Sequence, residues 1–147
     1  MARDPLRILL SVRLNAVEQA RVALGVCLRA EAEIAERIRQ IEAAGQRHSA
    51  ATASWQEAHQ FQEMTALRLA ALRAERQAAA VALAEAAARS AAARGAVTAA
   101  RSAAESVEQL ADERDAARTA ELARKRQHEL DDIVRAQRMA RQRDAAG

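Results

Sequence analysis

Apolar residues recur at intervals of three and four positions along the first part of the chain. This spacing places them on one face of an α-helix, in the heptad pattern of a coiled coil. The two core rows hold Leu10, Val17, Leu24, Glu31 and Ile38, and Ala20, Cys27, Ile34 and Ile41, with Leu14, Leu28 and Ala35 beside them. The pattern predicts an amphipathic helix whose seam has one polar interruption, at Glu31.

The ends of this helix are indicated by capping residues. Asp4 suits the N-cap position and Pro5 the first helical position, where its missing N–H costs nothing. Gly45 suits the residue after a helix end. Ser54 and Glu57 form a capping box that opens a second helix. The predicted elements are a helix over about 5–47, a connection over about 45–54 and a second helix over about 55–143.

The second helix carries a seam made largely of alanine. One row holds Leu69, Arg76, Leu83, Ser90, Val97, Ala104 and Ala111, and the other holds Leu72, Ala79, Ala86, Ala93, Ala100 and Val107. Gly95 is the one helix breaker in this segment, and no Pro, Asn or Asp accompanies it. A single glycine costs about 1 kcal/mol in a helix, so one continuous helix is favoured over a three-helix bundle that turns near Gly95.

The predicted fold is all-α: a long antiparallel coiled-coil hairpin forming a single domain over residues 1–147. Composition agrees, since 42 residues are alanine and only 1% are aromatic. The second helix is much the longer, so roughly 40 C-terminal residues would project beyond the first helix as an arm. An arm with apolar residues and no partner in its own hairpin predicts a partner elsewhere.

Charge and cysteine content limit the classes of function that this chain could have. The net charge is only +3, and the 23 basic and 20 acidic residues are interspersed. That pattern is typical of a solvated helix surface, and nucleic-acid binding is not expected without a basic stripe and stacking aromatics. Cys27 is the only cysteine and fits a small core residue in a reducing compartment. No transmembrane segment or secretory leader is indicated.

Enzyme chemistry is not expected. His48, His59 and His128 have no metal-ligand spacing, and no phosphate-binding glycine loop is present. Asp131 and Asp132 point to different helix faces and are interpreted as ion-pair partners of Arg135. A two-helix hairpin also lacks a concave site that excludes water. We therefore expect no metal, no cofactor and no small-molecule substrate.

Two groups of residues remain as candidates for binding a partner. Trp55 and Phe61 are the only aromatic residues and lie just after the predicted connection. They form either a hydrophobic cap over the end of the hairpin or an exposed docking patch. The C-terminal arginines, Arg135, Arg138, Arg141 and Arg143, are either a solvated helix end favoured by the helix dipole or a basic tip for an acidic partner or a lipid surface.

The chain resembles the FliJ family of flagellar type III export proteins and their YscO-type virulence relatives. The resemblance lies in the N-terminal segment 5–24, in the spacing of Trp55 and Phe61, and in the C-terminal segment 121–141. The pattern from Glu129 to Arg135 is its most specific part. It covers nearly the whole chain and implies a cytoplasmic coiled-coil hairpin that is monomeric alone and associates peripherally with the inner membrane through the export apparatus.

The resemblance also implies partners. The paired termini would insert into a hexameric export ATPase and promote its assembly, while other parts would bind the export-gate membrane protein and export chaperones. By position, the ATPase-facing residues would be Leu6, Leu9, Leu10, Leu130, Ile133, Arg135, Arg138 and Arg141. The gate-facing residues would be Ile38, Ile41, Leu69 and Leu72.

Overall fold

The protein consists of two long α-helices that pack against each other. The structure, a computed structural model, describes residues 4–53 and 59–147. Helix α1 spans Pro5–Thr52 and helix α2 spans His59–Ala146. No strand occurs in these two ranges. Because the connection is short, α2 returns antiparallel to α1, and the predicted all-α hairpin is confirmed.

The start of α1 follows from its capping residue. The carboxylate Oδ1 of Asp4 accepts a hydrogen bond from the backbone N–H of Leu6 at 3.1 Å. Its carbonyl oxygen accepts from the N–H groups of Arg7 and Ile8. These bonds satisfy donors that have no partner within the helix, and Pro5 is the first helical residue as predicted.

The prediction that Gly45 ends the first helix is wrong. The helix continues through Gly45 to Thr52, and no glycine in the described ranges has a positive φ. The following residues include good helix formers and no proline, so nothing forces the chain to turn there. The hydroxyl of Thr52 donates to the carbonyl of His48 at 2.8 Å within the last turn. The Ser54–Glu57 capping box and Trp55 lie outside the described residues.

Helix α2 runs without a break through Gly95, so the alternative three-helix bundle does not form. It ends at Ala146, slightly beyond the predicted end. The contacts along the two helices divide the chain into two compact units. One comprises Arg13–Ser102, and the other comprises Met1–Val12 with Ala103–Gly147.

In the unit Arg13–Ser102, the predicted seams are the least exposed faces of both helices. Val17 and Ile41 of α1 are buried, as are four residues of α2, namely Leu72, Ala86, Ser90 and Val97. Most of the remaining seam residues are half-buried. Alanine at these positions lets the helices approach closely but buries little area per residue.

Three seam predictions need correction. Leu14 and Leu28, placed beside the core rows, are exposed by 52% and 39%. Ala35 of the same flanking row is half-buried, so α2 covers this row only in part and leaves its leucines in solvent. Arg76 is also exposed, but its Nε atom lies 2.7 Å from the Glu42 carboxylate of α1. It bridges the helices from the rim of the seam.

In the unit formed by Met1–Val12 and Ala103–Gly147, only the first part of α2 lies beside α1. Ala104 and Val107 are buried there. Ion pairs join Asp4 to Arg114 at 3.4 Å and Arg7 to Asp115 at 3.6 Å. From residue 112 onward, every residue is exposed. Residues 116–147, which lie past the last of these ion pairs, are named the C-terminal arm below.

Candidate partner-binding surfaces

The C-terminal arm is a helix with two chemically different faces. Leu122 and Ile133 are three turns apart on one side, with Leu130 close to them. They are exposed by 55%, 53% and 57% respectively. An amphipathic helix normally buries its apolar stripe against another element. Here α1 begins at Pro5, beside Arg114, and does not reach this stripe.

The opposite face of the arm is basic. Arg124, Arg135 and Arg138 lie on that side when α2 is followed at 3.6 residues per turn. From Ile133 to Arg143 the sequence has four arginines and no acid. None of the four is ion-paired to any residue of the described chain, although Lys125 pairs with Glu121 at 2.8 Å. The stretch from Ile133 to Arg143 therefore carries positive charge that no acid within it offsets, and Asp144 follows it directly.

The interpretation that Arg135 pairs with Asp131 and Asp132 is wrong. The Asp131 carboxylate instead accepts a hydrogen bond from the side-chain amide of Gln127 at 3.0 Å. Because Asp131 is hydrogen-bonded to a residue on its N-terminal side, the guanidinium of Arg135 stays in solvent. This increases the positive potential at the tip, where the unpaired carbonyl groups of the helix end also favour cations.

The predicted ATPase-facing residues form two patches in this unit. Leu6 and Leu10 are half-buried and Leu9 is 39% exposed, near the point where Asp4 meets Arg114. The other five, Leu130, Ile133, Arg135, Arg138 and Arg141, are exposed on the arm. Leu130 lies about 22 Å further along α2 than Asp115 at 1.5 Å per residue. The structure does not bring the two patches together.

A groove lies in the unit Arg13–Ser102, where α1 and α2 face each other towards the connection. Its volume is about 540 Å³. The lining residues are Ile41, Glu42, Gly45, Gln46 and Ser49 of α1, with Leu69, Leu72, Arg73 and Arg76 of α2. Three of the four predicted gate-facing residues, Ile41, Leu69 and Leu72, therefore share one groove, whereas Ile38 is half-buried in the seam and does not line it.

Sequence reasoning missed two features of this groove. Gly45 does not end the helix but leaves space at the groove wall, because no atom lies within 4 Å of the position that a Cβ would take. Arg73 stands on the rim with no ion pair in the described part of the chain, whereas Arg76 is neutralised by Glu42. The groove thus has an apolar floor and one free cation.

Other titratable groups show little organisation. Within the described ranges, no cluster of three or more His, Cys, Asp or Glu side chains is arranged to hold a metal ion. Cys27 is a free, half-buried thiol in the seam. A hydrogen bond from Arg39, together with its charge, holds the pKa of Glu36 below its ordinary value of 4.5. This pair lies on the surface of α1.

Neither helix, over its described length, combines the length and the apolar character required to cross a lipid bilayer. Comparison with protein-family models, with curated proteins and with solved structures finds no match to this chain.

Proposed function

We propose that this protein is a non-enzymatic stalk of a bacterial type III protein export apparatus, of the flagellar type. In this proposal, the arm enters the central opening of a hexameric export ATPase and promotes assembly of the ring. The observation that supports it most is the exposed C-terminal arm, which has an apolar stripe on one side and unpaired arginines on the other. The sequence resemblance described above supplies the identity of the partner.

The two faces of the arm have separate roles. Leu122, Leu130 and Ile133 pack against apolar side chains inside the ring, and this burial supplies most of the affinity. Arg135, Arg138 and Arg141 are attracted to carboxylates at the mouth of the ring. Such charge pairs raise the association rate more than the affinity. The N-terminal patch of Leu6, Leu9 and Leu10 contacts the ring at the base of the arm.

The groove near the connection is assigned to the export-gate membrane protein. Ile41, Leu69 and Leu72 offer an apolar floor, and Arg73 attracts an acidic residue beside the inserted side chain. Ile38 contributes from the neighbouring turn of α1. In this proposal the protein is cytoplasmic and reaches the inner membrane only through the gate, and it also contacts export chaperones. A stalk of the same family in a virulence secretion system would use the same surfaces.

The test uses full-length protein in which Arg135, Arg138 and Arg141 are all changed to Glu. Purified export ATPase is titrated with it, and ATP hydrolysis and hexamer formation are measured. We expect loss of ATPase stimulation and at least a tenfold weaker association at low salt, because three attractive contacts become repulsive. The matched control changes Arg29, Arg47 and Arg94, which are also exposed arginines, to Glu.

The control separates a local effect from net charge, since both triple variants lose the same charge. Unchanged stimulation by the arm variant would refute the insertion of the arm. Equal loss in both variants would show that binding depends on total charge and not on the arm, and it would refute the assignment as well.

The second candidate is a general coiled-coil scaffold or chaperone that forms homodimers through its arm. It is favoured by the exposure of the same stripe, Leu122, Leu130 and Ile133, because apolar helix faces also associate with copies of themselves. Changing Leu122 and Ile133 to Glu separates the two functions. If the scaffold is correct, the variant loses a dimer that forms without ATPase. If the stalk is correct, it loses ATPase stimulation.

A further inference from the structure

The outward side of α2 within the unit Arg13–Ser102 lacks the charges that a solvated hairpin normally carries. The side that faces α1 holds Leu72, Ala86, Ser90 and Val97. The opposite side, half a turn away, consists of every third or fourth residue from Met64 to Ala92. All these outward residues are exposed, and Glu85 is the only charged one. An apolar face of this length marks an interaction surface.

Three large side chains show that alanine content alone does not explain this face. Met64 and Leu67 are exposed by 68% and 71%, and Val81 by 52%. In the seam of the same helix, alanine is covered by α1. On the outward side, nothing in the described chain covers either the alanines or these three residues. We propose that a second copy of this protein packs on this face, antiparallel, with a two-fold axis at Ala78.

The sizes of the residues are self-complementary about that axis. An antiparallel copy related by a two-fold axis at Ala78 sets Met64 level with Ala92. Leu67 and Val81 then lie within one residue, about 1.5 Å along the helix, of the levels of Ala88 and Ala74. Each large side chain thus meets an alanine of the other copy, as the packing of knobs into holes requires. Alanines at the axis allow the two backbones to approach closely.

The charges are complementary as well. Neither Glu85 nor Arg68 is ion-paired to any described residue, and both are exposed. The same axis brings Glu85 within one turn of Arg68 of the second copy. Arg89 lies one turn beyond Glu85 in the same helix. Each Glu85 carboxylate therefore lies between Arg89 of its own copy and Arg68 of the other copy. The two-fold axis forms this arrangement twice, and no acid is left facing another acid.

The size of the face indicates a weak dimer. From Met64 to Ala92 the helix is about 42 Å long, and a side-chain width of about 10 Å gives a footprint of roughly 400 Å² on each copy. The two copies together therefore bury roughly 800 Å², which is below the lower limit of about 1,200 Å² for stable interfaces. The dimer should form at micromolar concentrations and dissociate on dilution. This proposal differs from the expectation, implied by the resemblance, that the protein is monomeric alone.

The proposed dimer is independent of the proposed stalk function, because it uses no residue of the C-terminal arm. It is also distinct from the scaffold hypothesis, in which the arm forms the interface. A dimer of this kind would present two arms to its partners. The position of the interface can therefore be tested without knowledge of those partners.

Sedimentation equilibrium of the full chain gives the first test. Wild type should show a concentration-dependent monomer–dimer equilibrium. Glu85→Arg should weaken it roughly tenfold, since two ion-pair sites become repulsive. The double variant Glu85→Arg with Arg68→Glu should restore it. All these side chains are exposed, so the fold is retained, and circular dichroism checks this.

The matched control changes Leu122 and Ile133 of the arm to Glu, and it should leave the equilibrium unchanged. A wild-type chain that stays monomeric at its highest soluble concentration would overturn the proposal. So would loss of the dimer in the arm control, or a double variant no stronger than Glu85→Arg.

Cross-linking tests the axis itself. With Cys27 changed to Ala, Ala78→Cys places two thiols next to the axis, within the Cα separation of about 4.4–6.8 Å that a disulfide requires. The control Ala71→Cys is on the same face but lies about 21 Å from its counterpart along the helix. Under mild oxidation the first variant should form a covalent dimer and the second should not. Equal cross-linking of both, or cross-linking of the control alone, contradicts the proposed register.

Discussion

Ser90 is the only described side chain that is fully buried, and it carries the clearest prediction about stability. Its hydroxyl has no hydrogen-bond partner among the described residues, although its relative exposure is 0%. Leaving such a group unsatisfied costs about 1–3 kcal/mol. Alanine also exceeds serine in helix propensity by up to about 0.7 kcal/mol. We therefore expect Ser90→Ala to raise the free energy of unfolding by about 1–2 kcal/mol, the lower part of the combined range.

Thermal and urea unfolding, followed by circular dichroism at fixed protein concentration, measure this effect. The expected gain corresponds to a rise in Tm of about 3–6 °C for a chain of this size. Ser49→Ala is the control for propensity, because Ser49 is exposed. Ser90→Val should be less stable than Ser90→Ala, since extra bulk at a fully buried site costs about 1–3 kcal/mol. A neutral or destabilising Ser90→Ala would show that the hydroxyl has a stabilising partner, and the reasoning would fail.

Three further changes test individual features by the same unfolding measurements. Gly45→Ala should stabilise the protein by about 0.5–1 kcal/mol, because the helix passes through this site and a methyl group meets no atom within 4 Å; a loss of stability would contradict the helical geometry. Asp4→Ala should destabilise it by about 1 kcal/mol by removing the cap on Leu6, and Asp4→Asn, which can still accept that bond, should recover most of the loss. Because the pKa of Glu36 is lowered, this residue stabilises the fold at pH values above its ordinary pKa of 4.5, and the contribution disappears as the pH falls through the lowered pKa. Glu36→Gln should remove that part of the dependence of stability on acid pH. A pH profile identical to that of the wild type would refute this prediction.

The seams could be predicted from sequence because burial in a hairpin follows the heptad period. The heptad pattern places five residues in the core rows that the structure buries: Val17 and Ile41 of α1, and Leu72, Ala86 and Val97 of α2. The continuity of α2 through Gly95 was also predictable, since a single glycine lowers helix stability without supplying a turn. Periodicity identifies the face that a helix buries, even when that face is mostly alanine.

The end of α1 could not be predicted in the same way. Gly45 satisfies the usual rule for a helix end, but that rule requires the chain to leave the helix with a positive φ. Here packing continues past the glycine, and the helix extends by two further turns to Thr52. The exposure of Leu14 and Leu28 was missed for a related reason. The width of a seam depends on the bulk of the partner helix, which a single-helix pattern does not contain.

Some of the candidate surfaces could be predicted from the sequence and others could not. The exposed arginines of the arm follow from the lengths of the two helices, because α2 has 88 residues and α1 has 48. The groove at Ile41, Leu69 and Leu72 forms where α2 faces α1, so a pattern followed along a single helix does not reveal it. The outward face of α2 could not be distinguished from the seam in the sequence, because alanine occupies both sides of the helix.

An alanine-rich helix with two apolar sides has a physical consequence for how this protein is stabilised. Each alanine in the seam buries little area, so α1 contributes modestly per turn to holding α2. High helix propensity compensates locally, yet isolated helices remain marginal in water without tertiary contacts. Among the described residues, the arm has no such contacts, and α2 between Met64 and Ala92 has them on one side only. Partners that cover the arm and the outward face would therefore stabilise the helix where it has the fewest tertiary contacts within the chain. The large exposed side chains lie in those two places.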